Sequence, residues 1–501
     1  MILIGVALFI VLMMAIGLWV ARKIQGDSTN YIVAGRGLIL PLAAATLMAQ
    51  AVDTNATLGN TDLTAEFGFW AGASLPIGLA LCLFLTGLFF AKPLNRMGLM
   101  TLPDFFRRKY GPSVEVLASL LMILGFCILL AGNLVAGGYL FSTFMGTSYG
   151  VGVALIAAIV FVYTVAGGLI AVAYTDFIQV GVALLGSLVL LGFVLVNFGI
   201  TIPEGMGPFA FEQLTDPALG AYINWATILA LGLGDIVAID FMQRIFAADS
   251  PETAQRACFA GSVGTLVVGV PFALVALSSG AILEQAGVAA GSGPVLFTMI
   301  QEVVPPALGL LVLAGIVAAS LSTSDGAVLG TSCVFARNVF GIREEQGGAE
   351  ADKLLLTARI MAVPVTLLGI FFAIQIPETG ILLTLAFDVL FAGLLVPFAL
   401  GVYWPKANKP AAIAAIIIGS STRLAFFVLT PTTYGVENTL AYIPNETFTA
   451  AFDGLPTFIS PLLALFTFVV LALATQDTYE PAVKDVRALV TEDGPVAEPA
   501  R

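Results

Sequence analysis

Apolar runs of at least about 18 residues, enough to cross a bilayer core of about 30 Å as a helix, recur from the first residues of this chain almost to its C-terminus. That pattern decides the class of fold before any motif is read. With 59% hydrophobic and 10% charged residues, against roughly 25% charge in soluble chains, the 501 residues form a polytopic all-α membrane protein and not a string of soluble domains. The 52 glycines suit helices that approach closely in lipid. Cys82, Cys127, Cys258 and Cys333 lie in apolar runs without metal-ligand spacing and read as buried packing residues. Histidine is absent, so no imidazole base, metal ligand or pH switch is available.

Thirteen spans are expected, at about 1–21, 38–64, 69–91, 113–144, 149–167, 169–199, 222–246, 254–281, 306–340, 357–376, 379–403, 409–430 and 455–476. The first is read as a retained span, since no convincing small-residue cleavage site follows it. Placing the N-terminus outside and alternating puts every basic residue except Arg423 on the cytoplasmic side or at a cytoplasmic span end. The positive-inside rule therefore orients the chain with its N-terminus outside and its C-terminus inside. Outer loops at 200–221, 282–305 and 431–454 are suited to act as lids, and the acidic stretch 477–501 reads as a disordered cytoplasmic tail.

Two spans carry polar or glycine-rich centres. The second contains Gln50, Ala51, Asp53, Thr54 and Asn55, whose short polar side chains compete with helical hydrogen bonds. The seventh contains Gly232, Gly234 and Asp235. Each opens a group of five spans, 38–199 and 222–403, and five is odd, so the two groups enter the membrane from opposite sides. Interrupted helices at matching positions of two inverted units point to the binding site of a secondary transporter. The run around Ala318-Ala319-Ser320-Leu321-Ser322-Thr323-Ser324-Asp325 adds a helical face bearing Ala319, Ser322 and Thr323 at i, i+3 and i+4. Its hydroxyls offer oxygen ligands for a small cation, although small hydroxyl residues also serve close helix packing.

Five segments, in order, resemble the sodium:solute symporter family, which includes bacterial proline, sialic acid and sugar symporters. They are Tyr31-Ile-Val-Ala-Gly-Arg36, Thr101-Leu-Pro-Asp-Phe-Phe-Arg-Arg-Lys-Tyr-Gly111, Thr175-Asp176-Phe-Ile-Gln179, Gln243-Arg244-Ile-Phe-Ala-Ala248 and Ala318-Ala319-x-x-Ser322-Thr323. The resemblance runs from about residue 28 to 415. It implies a leucine-transporter-type core of five plus five inverted spans, flanked by 1–21 and 409–476, working by alternating access. It further implies a sodium site built from the carbonyls of Ala51, Thr54 and Ala319 and the hydroxyls of Ser322 and Thr323, with Asp53 organising it. Asp176 matches an aspartate of a second sodium site found in some members, but two serine positions of that site are Asp325 and Gly326 here. Asp176 and Asp325 are accordingly expected to hold a second sodium or a shared proton, unless one of them snorkels to the cytoplasmic face or meets Arg337.

The resemblance places the solute among spans 2, 4, 7 and 11, which makes Gln50, Asn55, Asn133, Asp235 and Asp388 the substrate-binding candidates. Asp240 either lines the cavity or pairs with Arg244, and Asp388 either binds solute or pairs with Arg423. The expected activity is sodium-coupled symport of a small polar organic solute, first an amino acid such as proline, with a short carboxylate, urea or a polyamine as alternatives. The expected setting is a bacterial-type inner membrane, with the bilayer, sodium and the solute as partners, no nucleic acid, and a functional monomer. A phosphate-binding loop and a repeated channel-filter motif are both absent, so ATP-driven transport and a tetrameric cation channel are disfavoured. A transporter-derived sensor or channel-like protein remains an alternative. An intramembrane enzyme would need paired aspartates, since nothing here can form a Ser-His or His-metal centre.

Overall fold

The computed structural model describes residues 2–288, 293–343, 352–378 and 380–476; the tail expectation for 477–501 lies outside them. Among the described residues, nine helices are long and apolar enough to cross a membrane, or up to eleven if two bent pairs each make one span. The helices that matter below are α1 (Ile2–Val20), α2 (Leu40–Ala51), α3 (Asn60–Phe67), α4 (Phe69–Arg96) and α5 (Pro112–Met145). They continue as α6 (Tyr149–Asn197), α7 (Ala221–Val237), α8 (Ile239–Ala247), α9 (Pro251–Leu277) and α10 (Pro306–Val339). The chain then forms α11 (Lys353–Gln375), α12 (Ile381–Gly393), α13 (Leu395–Tyr403), α14 (Lys409–Leu429) and α15 (Pro456–Ala474). A two-stranded hairpin, Thr432–Thr433 with Val436–Glu437, is the only sheet among the described residues.

The bundle is built around α10. Every residue from Val312 to Val334 is buried, on faces that pack against α5, α6 and α11. Small residues make the closest approach possible: a side chain added at Gly315 would lie 3.1 Å from the Cα of Ala183 on α6. The periphery is the reverse of a soluble surface. Ile4, Leu8 and Trp19 of α1 and Ile417 and Leu424 of α14 are exposed, as expected of groups that face lipid.

Helix α6 has 49 residues and would measure about 73 Å if straight, more than twice the bilayer core. It turns instead at Gly168, where φ is 52° and ψ is −170°. A Cβ there would stand 2.5 Å from Cδ2 and 2.7 Å from the carbonyl oxygen of Tyr31, so only glycine fits both the conformation and the space.

Three further breaks shape the core. The helix α2 ends at Val52 (φ −92°, ψ 69°), and after Asp53 the chain resumes as a wide turn over Asn55–Gly59 before α3. Along the second half of α7 the backbone widens over Ala230–Gly234 and tightens over Asp235–Val237, then becomes extended at Ala238 before α8, giving a bend of 47°. Both breaks fall where sequence places them. The third, a 50° bend between α12 and α13, is not among the expected ones. Its cause is visible in the sequence, because Pro397 has no N–H to return to the Gly393 carbonyl.

Candidate functional site

The first break brings α2 against the middle of α10. Ser322 Oγ lies 3.0 Å from the Ala49 carbonyl and 3.2 Å from the Ala319 carbonyl. Thr323 Oγ1 lies 3.4 Å from the carbonyls of both Ala49 and Gln50, while Gln50 Nε2 donates to the Ser322 carbonyl at 2.8 Å. Five neutral oxygens thus converge: two hydroxyls, the Ala319 carbonyl, and two carbonyls at the frayed end of α2. Helix ends leave such carbonyls without intrahelical partners. Neutral oxygens alone favour a monovalent cation that must also be released.

Of the expected ion ligands, Ala319, Ser322 and Thr323 meet the end of α2 directly. On α2 their partners are Ala49 and Gln50, whereas Ala51 and Thr54 lie at the break itself. The Thr54 carbonyl is 3.2 Å from Thr57 Oγ1, and both the amide and the hydroxyl of Thr54 donate to Asn133 Oδ1, at 3.2 and 2.7 Å. Sequence did not single out Ala49, since a carbonyl ligand leaves no trace in residue type.

Asp53 organises the break. Its carboxylate accepts from the Ala56 amide at 2.7 Å, Asn55 Nδ2 at 2.6 Å and Asn133 Nδ2 at 3.1 Å. Asn55 Oδ1 in turn accepts from the Gly380 amide at 3.2 Å, and the Asn133 carbonyl accepts from Ser320 Oγ at 2.9 Å. Asn55 and Asn133, expected among the solute ligands, are therefore tied into the scaffold joining the break to α5, α10 and α12.

Asp235 stands apart. It is buried in the second break, neither of its carboxylate oxygens has a hydrogen-bond partner, and Asp53 and Asp240 are its charged neighbours. Asp240 is an electrostatic neighbour of Arg244, whose Nη1 also donates to the Asp240 backbone carbonyl at 3.1 Å.

Asp176 and Asp325 are both fully buried, but the structure partners them differently from expectation. Asp176 accepts from Thr46 Oγ1 and lies 3.5 Å from Arg244 Nη2, and neither Asp325 nor any other acid is among its electrostatic neighbours. Asp325 meets no side-chain donor. Arg337, the other partner considered for either acid, instead binds Asp104 at 2.8 Å. Asp388 is held by Arg423 Nε, so the structural alternative accounts for it, and one of its oxygens accepts from that guanidinium.

Two adjoining hollows, of about 440 and 590 Å³, open at the end of the bundle that carries α3 and the start of α12. The first lies between the two broken helices, lined by Leu63, Phe67, Asn224, Thr227 and Thr384, with Tyr434 of the hairpin at its edge. The second is acidic, lined by Asp62, Glu66 and Glu378. Burial, with Glu66 nearby, raises the Glu378 carboxyl above its ordinary range. A third hollow of about 330 Å³, between α5, α11, α12 and α14, is lined almost wholly by apolar side chains and lies away from both breaks.

The opposite end is basic and closed by a polar network. Asp104 accepts from Arg337 Nε at 2.8 Å, Arg343 Nη1 at 2.7 Å and Asn338 Nδ2 at 3.0 Å. Glu115 accepts from Arg107 Nη1 at 2.9 Å, from Asn338 at 2.8 Å and from Arg343. Burial alone would raise the Asp104 carboxyl, but the guanidiniums of Arg337 and Arg343 outweigh it and hold it at about 2.

A family model described as the sodium:solute symporter family matches residues 31–419. A high-affinity choline transporter of Drosophila melanogaster is 25% identical over 84% of this chain and 70% of its own length. An osmoregulated proline transporter of Bacillus subtilis is 26% identical over 84% of this chain and 88% of its own. A sodium/pantothenate symporter of Haemophilus influenzae is 27% identical over 79% and 84%, respectively. Among solved structures, a Na+-coupled sialic acid symporter superposes with a TM-score of 0.72 at 16% identity, covering 96% of this chain and 98% of that one. An amino-acid-bound structure, MhsT with L-phenylalanine, superposes with a TM-score of 0.50 at 16% identity over 87% and 98%.

Proposed function

This chain belongs to the sodium:solute symporter family, whose members are transporters and not enzymes, and on that premise we propose that it carries a small organic solute with a positively charged amine across a membrane, driven by sodium. The observation that carries the reading is the convergence of Ser322, Thr323 and the Ala319, Ala49 and Gln50 carbonyls at the first break. Ala51 and Thr54 would join this set with a small movement of the break, and Asp53 holds the break in register.

The solute class follows from charge. Asp235 is a buried carboxylate without a donor, and such a group requires a compensating cation or proton. The buried arginines of the core are already engaged, Arg244 with Asp176, Arg337 with Asp104 and Arg423 with Asp388. A solute whose only charge is a carboxylate would find no free guanidinium there. An amino acid such as proline is the first reading, with Asp235 and Gln50 contacting it. A quaternary amine is the second, favoured by the same unpartnered carboxylate and by the choline transporters among the relatives.

Thirteen spans support this cycle: nine long helices, two bent pairs, the broken pair α2–α3, and α6 counted as two about Gly168. Units 38–199 and 222–403 then form inverted repeats with the N-terminus outside, and the acidic hollows open outward as a cation-attracting vestibule. The protein would act as a monomer in a bacterial-type cell membrane. A thermal-shift screen of amino acids, quaternary amines, short carboxylates and urea, with and without sodium, tests the proposal. Stabilisation by an amine-bearing solute that grows with sodium supports it; stabilisation only by carboxylates, or none that depends on sodium, overturns it.

A further inference from the structure

Asp176 is a buried acid that the proposed sodium site does not use; its Oδ2 faces Thr46 and Arg244, while its Oδ1 has no hydrogen-bond partner. Arg244 is fully buried on α8, the half of the second broken helix at the basic end. Its Nε donates to Thr46 Oγ1 at 2.8 Å, and that hydroxyl in turn donates a hydrogen bond to Asp176 Oδ2. Its Nη2 lies 3.5 Å from the same carboxylate oxygen. Three helices, α2 through Thr46, α6 through Asp176 and α8 through Arg244, therefore share one guanidinium.

Gly326 makes the room. A Cβ at that position would stand 3.3 Å from Arg244 Nη2 and 2.1 Å from Gln50 Oε1, so a side chain there would displace both. Gly326 is one helical turn beyond Ser322, whose carbonyl holds the amide end of the same Gln50. The guanidinium thus sits one turn from the oxygens assigned to sodium, where Asp176 is its ion-pair partner at 3.5 Å and Asp240 is its second acidic neighbour. A second metal ion beside Asp176 would have to sit against a cation that cannot lose its proton.

We propose that Arg244 is a tethered counter-cation for Asp176, so that a single sodium ion accompanies each solute. The inference rests on the sodium-coupled reading above and goes beyond it, since that reading is silent on ion number. It also makes Arg244 a positioning residue: through Thr46 it anchors the helix whose last carbonyls face Ser322 and Thr323.

Reversal-potential measurements in proteoliposomes test it. The wild-type protein is expected to move one sodium per solute, with uptake rising hyperbolically with sodium. Arg244→Gln leaves Asp176 buried and unpaired, which a bound cation must then compensate, so uptake should become sigmoidal in sodium. Arg244→Lys, and the double variant Arg244→Gln with Asp176→Asn, should both restore the hyperbolic dependence, which a merely structural role for the arginine would not produce. Two sodium ions per solute in the wild type overturn the proposal even if no variant folds, as does a folded Arg244→Gln whose sodium dependence matches the wild type. Uptake indifferent to sodium overturns the symport reading together with this one, whereas the two-sodium result overturns this one alone.

Discussion

At the scale of single residues, Ser322 and Thr323 carry the proposed sodium site. Both hydroxyls face carbonyls of a different helix, and Ser322 does so in addition to the bond back to Ala319 of its own turn. Removing one oxygen from a five-oxygen site should weaken sodium without unfolding α10. Ser322→Ala and Thr323→Ala are each expected to raise the sodium concentration for half-maximal uptake by roughly tenfold, about 1.4 kcal/mol, with little change in melting temperature. An unchanged sodium dependence in both variants would remove them from the site. Asp235→Asn should lower solute affinity while leaving sodium-induced thermal stabilisation intact, read by titrating solute at saturating sodium. The hydroxyls proposed as ligands were legible in sequence because Ser322 and Thr323 share a helical face with Ala319 at i+3 and i+4. The carbonyls proposed as ligands are not, since every residue has one, and neither are the partners of Arg244 on other helices, Thr46 and Asp176, which are distant from it in sequence.

At the scale of elements, the two central breaks were readable because polar and glycine residues interrupt otherwise apolar runs at Asp53–Asn55 and Gly232–Asp235. The bend between α12 and α13 was missed because a single proline in a membrane helix is often accommodated by its neighbours. The division of α6 rests on one residue. Gly168→Ala would place a methyl group against the Tyr31 side chain and backbone at a positive φ. It is expected to cost more than about 2 kcal/mol, seen as loss of a monodisperse peak and a lower melting temperature. Gly192→Ala on the same helix, where a methyl group meets nothing within 4 Å, should behave as wild type. Equal behaviour of the two variants would contradict the hinge.

At the scale of the whole molecule, charge separates the two ends: acidic hollows at one, the Asp104–Glu115 network at the other. Hydropathy and basic residues made this polarity legible; the network was not, because Arg337, Asn338 and Arg343 are more than 200 residues from Asp104 and Glu115 in the chain. Asp104 titrates at about 2 in the folded protein against an ordinary value of 3.8. Its depressed value stabilises the fold above pH ~4, and that contribution, about 2 kcal/mol, is lost as pH falls through the folded value. The melting temperature of the detergent-solubilised protein should therefore drop between pH ~4 and ~2, and Asp104→Asn should flatten that drop while lowering stability at neutral pH. A variant with the wild-type acid profile would show that the network does not hold the basic end.

The central claim is that a sodium gradient alone drives solute uphill. Proteoliposomes holding equal solute on both sides, with the membrane potential clamped to zero, should accumulate an amine-bearing solute when sodium is added outside and should not do so with potassium or a proton gradient. Solute that only equilibrates, whatever the sodium gradient, would contradict the account.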